Sequence, residues 1–462
     1  MFIDKLPENK SIDINLPFSK SYVIRIAIIA FLSNNLTFLE YISKLENLSD
    51  DIKAILRCIY ACIIGDIAYC GESATCLRLF SFVSSLFIDN NNISIAMEGT
   101  LQTRLVDELQ DILEKVHIKN SIKIENKSSF IKKNNSLHNS FRNHSNKYLF
   151  YLQKQLLDNE FQILNNSSDK FKYFREIYNS NNMNHYKSDT ITKLNLFSKI
   201  KPGNYTINGK NTSIFISGLL MSLPLCEGNS ILEVIELNSA GYVDLTIDIL
   251  KTFGVFINRK NNTFYIEGKQ KYISKEYIEL ERDWSAAANL LVLGAIRGNC
   301  FVKGLKLTSK QPDKIIYDFL ESININIRYN EEHITVHKSS IPAFSFDATN
   351  YPDIIPPLVV LALNSLGKCY IYGVSRIIVK ESNRLEAIIC EFNKLGANII
   401  YEEKNNRFVI MPSILKSNKV SSNNDHRIAM ALAIAGLTID GGIEIDNIDC
   451  ITKSYPDFFN IF

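Results

Sequence analysis

Ser19-Lys20-Ser21-Tyr22-Val23-Ile24-Arg25 leads into an uncharged apolar run, Ile26 to Leu32. Four residues make about one helical turn, so Ser21 and Arg25 share a face if the stretch is a helix. Lys20 and Ser21 then stand at its N-terminus, where free N–H groups and the helix dipole favour bound anions. Taken alone, the same residues also describe a capped core helix whose arginine pairs with a surface acid. Recurrence along the chain separates the two readings.

Five more segments share the pattern. Gly71-Glu72-Ser73-Ala74-Thr75-Cys76-Leu77-Arg78 leads into Leu79 to Val83, and Thr212-Ser213 into Ile214 to Leu225. Asp283-Trp284-Ser285 opens a small and apolar run ending near Ile296, Pro352-Asp353 opens Ile354 to Leu366, and Asp425-His426-Arg427 opens Ile428 to Leu437. Helices apolar on all sides are buried ones. Between them lie amphipathic stretches with apolar residues at i, i+3, i+4: Ser49 to Cys62, Thr103 to Val116, Tyr242 to Phe253, Pro312 to Ser322 and Lys380 to Leu395. Short β-rich runs follow, such as Phe264-Tyr265-Ile266 and Phe408-Val409-Ile410. Each unit therefore reads strand, buried helix, strand, surface helix, strands. Six units in two groups of three predict an α/β protein of two similar domains.

From about Lys119 to Lys201 the rhythm stops. This region is rich in Asn, Ser and Lys and reads as an exposed or disordered insertion. Four histidines, His117, His138, His144 and His185, fall in or beside it, too scattered for a metal site.

A chain of 462 residues calls for more than one core, and its apolar share of 46% with 22% charged residues is ordinary for a globular protein. A formal net charge of +2 argues against a nucleic-acid surface. Nine cysteines without a Cys-x-x-Cys pair predict reduced thiols in a cytoplasmic protein. No run approaches the length of a membrane span, and the first residues, Met-Phe-Ile-Asp-Lys, do not read as a signal or transit peptide.

The polar residues at the starts of the buried helices carry the chemistry. Lys20, Ser21, Arg25, Arg78, Thr212, Ser213, Asp353, Asp425, His426 and Arg427 would meet in one cleft if the helices point at it, joined by Arg104, Lys380, Glu381, Arg384 and Lys453. Such a cleft suits substrates bearing phosphate and carboxylate, and acids among its cations are candidates for proton transfer. There is no Walker loop, no Gly-x-Gly-x-x-Gly after a strand and no zinc-ligand spacing, which disfavours a nucleotide or metal enzyme.

Five motifs together resemble the 5-enolpyruvylshikimate-3-phosphate (EPSP) synthase family. They are Ser19-Lys20-Ser21-x-x-x-Arg25, Asp283-Trp284-Ser285-Ala286-Ala287, Lys380-Glu381-Ser382-Asn383-Arg384-Leu385, Asp425-His426-Arg427-Ile428-Ala429-Met430-Ala431 and Lys453-Ser454-Tyr455-Pro456-Asp457. They occur in the family's order over nearly the whole chain. The resemblance implies an inside-out α/β barrel architecture of two domains, each of three βαβαββ units. One domain would be 1–18 plus 283–462 and the other 19–282, with crossovers near Ser19 and Glu281. It implies transfer of the enolpyruvyl group of phosphoenolpyruvate to the 5-hydroxyl of shikimate 3-phosphate by a monomer without a cofactor. By position, Lys20, Ser21, Arg25, Thr212, Ser213, Ser239, Asp353 and Lys380 would hold shikimate 3-phosphate. Lys20, Ala74, Arg104, Arg384, Arg427 and Lys453 would surround phosphoenolpyruvate. Asp353 would be the base and Glu381 the acid, with Lys20 between the substrates as a third catalytic residue.

The chain departs from the family at several binding positions. Glu72-Ser73-Ala74-Thr75-Cys76-Leu77-Arg78 stands where Asn-Ala-Gly-Thr-Ala-x-Arg is usual, and Thr212-Ser213-Ile214 replaces Ser-Ser-Gln. Leu105 stands in place of a proline and Asn383 in place of an aspartate. Glu72 beside an anionic substrate calls for a neighbouring arginine. Alanine at position 74 accompanies tolerance of the inhibitor glyphosate in this family. Two alternatives share the fold. One is a UDP-N-acetylglucosamine enolpyruvyl transferase, whose usual cysteine loop would fall near Ala96–Arg104, where no cysteine occurs. The other is a non-catalytic paralogue, which would have no reason to retain Lys20, Asp353, Glu381 and Arg427 as a set.

Overall fold

The buried helices form where the uncharged runs place them. In the computed structural model, which describes residues 1–7, 10–89, 92–104, 106–128, 171–179 and 189–462, they are α1 (Lys20–Leu32), α2 (Ala74–Ser85), α3 (Ile214–Ser222), α4 (Trp284–Arg297), α5 (Ile355–Leu363) and α6 (His426–Gly436). Their starts follow from local chemistry. The Ser73, Asp283 and Asp425 side chains accept backbone N–H groups of the first turns of α2, α4 and α6. Pro356 and Pro357 open α5, where a missing N–H costs nothing.

Four sheets have one and the same topology. They comprise, in chain order, Ile12–Asn15, Cys300–Lys303, Ile327–Asn330 and His333–Val336; Ala68–Gly71, Ile93–Met97, Asn120–Asn126 and Thr190–Leu196; Asn204–Asn208, Ser230–Ile235, Ile257–Lys260 and Thr263–Ile266; and Ser345–Asp347, Cys369–Tyr372, Asn398–Glu402 and Arg407–Met411. In each, the first strand pairs parallel with the second, the second antiparallel with the fourth, and the fourth antiparallel with the third. A buried helix links each parallel pair, as a parallel crossover requires. This is the βαβαββ unit.

The expected six equal units are only partly realised. The α6 unit has three strands, Lys419–Ser421, Ile443–Asp446 and the N-terminal Phe2–Ile3. After α1, the described residues contain no strands before Ala68; two helices, Leu36–Ser43 and Asp50–Ile64, follow instead. The supposed insertion is also narrower than the 119–201 expected from composition. Asn120–Asn126 and Thr190–Leu196 are a paired strand couple of a core sheet, and the helix Lys172–Asn179 packs beside them in sequence but against Asp50–Ile64 in space. Phe174 is fully buried there and stacks edge-on with Tyr60, while Glu40 accepts its backbone N–H at 2.9 Å. His138, His144 and His185 lie outside the described residues.

Two large apolar cores result among the described residues. One runs from Val23 to Leu280, and the other joins Ile3–Leu16 to Trp284–Phe458. The chain passes between them twice, and the passages lie side by side: Ser19 N–H donates to the Glu281 carbonyl at 2.9 Å and Asp283 N–H to Pro17 at 3.1 Å. We propose that the cores are two domains, 19–282 and 1–18 plus 283–462.

Candidate active site

Where the cores meet, the N-termini of α1, α2, α3, α5 and α6 wall one cavity. The sixth, α4, does not reach it, which corrects the expectation that all six helices converge. Lys20, Ser21, Arg25, Ala74, Arg104, Thr212, Ser213, Ser239, Asp353, Lys380, Glu381 and Arg384 all line this cavity. Arg427 and Lys453 stand behind the wall and reach it through acids, Arg427 to Asp353 at 3.4 Å and Lys453 to Glu381 at 3.8 Å.

The wall carries seven cations, Lys20, Arg25, Arg78, Arg104, Arg376, Lys380 and Arg384, against the two carboxylates Asp353 and Glu381. Helix N-termini add to that positive field. Arg384 is the hub: its guanidinium meets Asp353 at 2.9 Å, Glu381 at 2.6 Å and Asp425 at 2.7 Å, with its side chain 1% exposed. Asp425 thereby caps α6 and anchors Arg384 at once. Lys380 stands 3.8 Å from Asp353, and Arg104 3.9 Å from Glu381. Lys20 pairs with buried Asp51 at 2.9 Å.

These pairs set the acid–base character of the site. Burial alone would push the Asp353 carboxyl up, but Lys380, Arg427 and Arg384 hold it well below the usual range. Glu381 is likewise held down against burial by Arg384, Arg104 and Lys453. Burial, Lys20 and Arg427 push His426 well below the usual imidazole range, so its ring is neutral. Burial lowers Arg25 and Arg78 to about 10, still charged at neutral pH. Among the described residues Arg25 reaches neutral partners, the Thr246 hydroxyl at 2.8 Å, the Ser21 carbonyl at 2.7 Å, Ser217 and the Tyr242 carbonyl. Among the described residues, Nε and Nη1 of Arg104 and of Arg427, and Nη1 of Arg376, are buried without a hydrogen-bond partner. Buried guanidinium donors in surplus over carboxylates suit a ligand with several anionic oxygens.

Some details differ from the sequence reading. Glu72 faces away from the cavity and accepts the Thr100 backbone N–H at 3.1 Å, so a backbone donor takes the place of the arginine it was expected to need. Its carboxylate fills the space a Cβ at Gly99 would occupy, where φ is +60°. Asn383 caps the helix Arg384–Lys394, its side chain accepting the Glu386 N–H. That is a job its amide oxygen does as well as an aspartate would. Ile214 lines the cavity and gives it an apolar face. Leu105 lies outside the described residues. Sequence reasoning gave no role to Arg376, Asn211 or Tyr242, which also line the cavity. No spacing in the sequence points to them: Arg376 lies in the short turn Val374–Ile377, which ends before Lys380. Among the described residues no group of His, Cys, Asp or Glu is arranged to hold a metal, and no helix is long and apolar enough to cross a membrane.

The fold is shared with enolpyruvyl transferases: the structure superposes on EPSP synthase from Acinetobacter baumannii with a TM-score of 0.65 at 16% identity, covering 100% of this chain and 96% of that one. The enolpyruvyl transferase NikO from Streptomyces tendae superposes at 0.63 with 12% identity, covering 99% and 95%. The family profile of EPSP synthase (3-phosphoshikimate 1-carboxyvinyltransferase) matches residues 184–462. A 3-phosphoshikimate 1-carboxyvinyltransferase of Clostridium novyi (strain NT) is 32% identical over 99% of this chain and 95% of its own length. One from Clostridium acetobutylicum is 40% identical, over 58% of this chain and 63% of its own length. The chain belongs to the EPSP synthase family.

Proposed function

We propose that the protein transfers the enolpyruvyl group of phosphoenolpyruvate to the 5-hydroxyl of shikimate 3-phosphate and releases phosphate. The observation that carries this reading is the excess of buried, under-partnered arginines around two carboxylates in a single cavity. The relatives' name supports it across almost the full chain.

In this reading Lys20, Ser21, Arg25, Thr212, Ser213, Ser239, Asp353 and Lys380 hold the acceptor. Lys20, Arg104, Arg384, Arg427 and Lys453 hold phosphoenolpyruvate, beside Ala74. The acceptor oxygen attacks the central carbon of phosphoenolpyruvate while Asp353 takes the hydroxyl proton and Glu381 gives a proton to the methylene carbon. Breaking the carbon–oxygen bond to phosphate, with return of a methyl proton to the Glu381 carboxylate, restores the double bond in the product. Cations around the phosphate stabilise the charge that builds on it as it leaves. The protein acts as a cytoplasmic monomer and needs no organic cofactor or metal.

The cavity measures only about 100 Å³, below the several hundred Å³ typical of ligand sites. Substrates therefore enter by parting the cores or by breaking the internal ion pairs. Phosphate release from shikimate 3-phosphate plus phosphoenolpyruvate tests the reading directly. Turnover is expected, whereas turnover only with UDP-N-acetylglucosamine as acceptor would transfer the chain to the related activity.

Ala74 leads to one prediction. It opens α2, is 7% exposed and turns its methyl group toward the cavity. The parent is expected to be weakly inhibited by glyphosate, and Ala74→Gly to lower its inhibition constant by about tenfold or more, since removing a methyl from a tight wall admits a longer ligand. Equal inhibition of the two proteins would refute a steric role for Ala74.

A further inference from the structure

Arg104 reaches the cavity from a loop, whereas most of its neighbours stand at helix starts. The loop leaves the strand Ile93–Met97 at Glu98, turns at Gly99 with φ +60°, and closes one short turn, Gly99–Gln102. Its own backbone bonds are long: Thr103 N–H meets the Thr100 carbonyl at 3.4 Å, and Arg104 N–H the Leu101 carbonyl at 3.3 Å. Leu101 is fully buried, but apolar contact is non-directional and fixes depth rather than orientation. Nε and Nη1 of Arg104 have no hydrogen-bond partner among the described residues, so the guanidinium is placed mainly by its backbone.

Gln102 supplies the orientation. Met97, the last residue of its strand, pairs opposite Thr192 in the strand Thr190–Leu196. Past that point the Gln102 side chain reaches back to the same strand. Its Nε2 donates to the Thr190 carbonyl at 3.0 Å, and its Oε1 accepts from the Thr192 hydroxyl at 2.9 Å and the Thr190 hydroxyl at 3.3 Å. A carbonyl only accepts, so a flipped amide would set oxygen against oxygen, and one orientation is left. The side-chain amide thus continues the ladder after the backbone has left it. Glu72, accepting the Thr100 N–H, and Arg78, whose Nη2 donates to the Arg104 carbonyl at 3.4 Å, hold the loop from the side of α2. All these residues lie within the stretch from Val23 to Leu280, so the anchorage does not depend on how the two cores stand relative to each other.

We propose that Gln102 is a positioning residue for phosphoenolpyruvate: its amide pins the Arg104 loop to the strand Thr190–Leu196 and so sets where the Arg104 guanidinium stands in the cavity. The kinetic arm of the test rests on the function proposed above; the exchange arm does not.

In steady-state kinetics, Gln102→Ala raises KM for phosphoenolpyruvate about tenfold, the scale of one lost hydrogen bond of this kind, and leaves KM for shikimate 3-phosphate within about twofold. Thr192→Val removes one hydroxyl at nearly constant shape and raises KM for phosphoenolpyruvate about threefold, and Thr192→Ser restores it. Because the two residues share a bond, the double variant Gln102→Ala with Thr192→Val is no worse than Gln102→Ala alone. A lowered melting temperature with both KM values unchanged or raised alike, or additive effects in the double variant, overturns the proposal. Hydrogen exchange read by mass spectrometry reports the pin itself: peptides covering Glu98–Arg104 exchange about tenfold faster in Gln102→Ala than in the parent, while peptides of α3 do not change. Unchanged exchange over Glu98–Arg104 also overturns it. If Gln102→Ala does not fold, Thr192→Val carries both arms. A parent without turnover defeats the functional reading alone, and exchange still decides the pin.

Discussion

Glu381→Gln is expected to lower kcat by about 10²- to 10⁴-fold, the usual contribution of a positioned acid, while KM for phosphoenolpyruvate stays the same or falls. Gln keeps the shape and removes only the proton donor and one negative charge. Glu381 is held ionised against burial by Arg384, Arg104 and Lys453, which makes it a poor acid. The proposed phosphoenolpyruvate site uses those same three cations. As phosphate and carboxylate oxygens engage them, the carboxyl loses its counter-charges and burial takes over, which raises its affinity for a proton. Substrate binding thus prepares the acid it needs. Steady-state kinetics with both substrates varied checks this, and a kcat within threefold of the parent would refute the role.

Arg384→Leu is expected to have the largest effect on stability. One guanidinium, 1% exposed, neutralises Asp353, Glu381 and Asp425, so its removal leaves three partly or fully buried acids facing one another. Breaking a buried pair costs about 3–5 kcal/mol, and turnover should be lost as well. The sign of the pH dependence should also change. In the parent, Asp353 and Glu381 bind protons less readily in the folded state than in the unfolded chain. Their contribution to stability is therefore present above the ordinary carboxylate range and is lost as pH falls through and below about 4. Without Arg384 the folded-state carboxyls should rise, and acidification from pH 7 toward 5, which leaves these groups unchanged in the parent, should stabilise the variant. Melting temperatures of both proteins between pH 7 and 4 measure this; parallel curves would rule it out.

The six buried helices were legible because a run without charges can only be internal, and the cations at their starts were legible because few other positions on those helices are polar. The strand Asn120–Asn126 was not. Its Ile124 faces outward, 68% exposed, while Glu125 turns inward and pairs with Lys193 at 3.1 Å. The strand's alternation is limited to Ile122 and Ile124, of which the first alone packs against the core, too short a pattern to stand out in the Asn- and Lys-rich stretch around it. The missing sheet beside α1 was hidden for a related reason, since Leu36–Ser43 and Asp50–Ile64 are apolar enough to serve as either surface or core helices. In the site, residues next to helix starts could be named from spacing. Arg376 and Tyr242 could not, because their partners lie in the other core and the spacing within the chain says nothing about them.

The strand pairing at the chain's first residues bears on how the protein is made. Phe2 pairs with Glu444, and Ile12–Asn15 pairs with Cys300–Lys303. On a ribosome adding about 5–20 residues per second, the first strand waits on the order of 20–90 s for its partner. During that interval the residues from Val23 to Leu280 can complete a core of their own, while the apolar Ile12, Ile14 and Leu16 remain without a sheet. The core from Val23 to Leu280 should therefore fold first, with the N-terminal segment still loose, which makes that segment the natural target for a chaperone during synthesis.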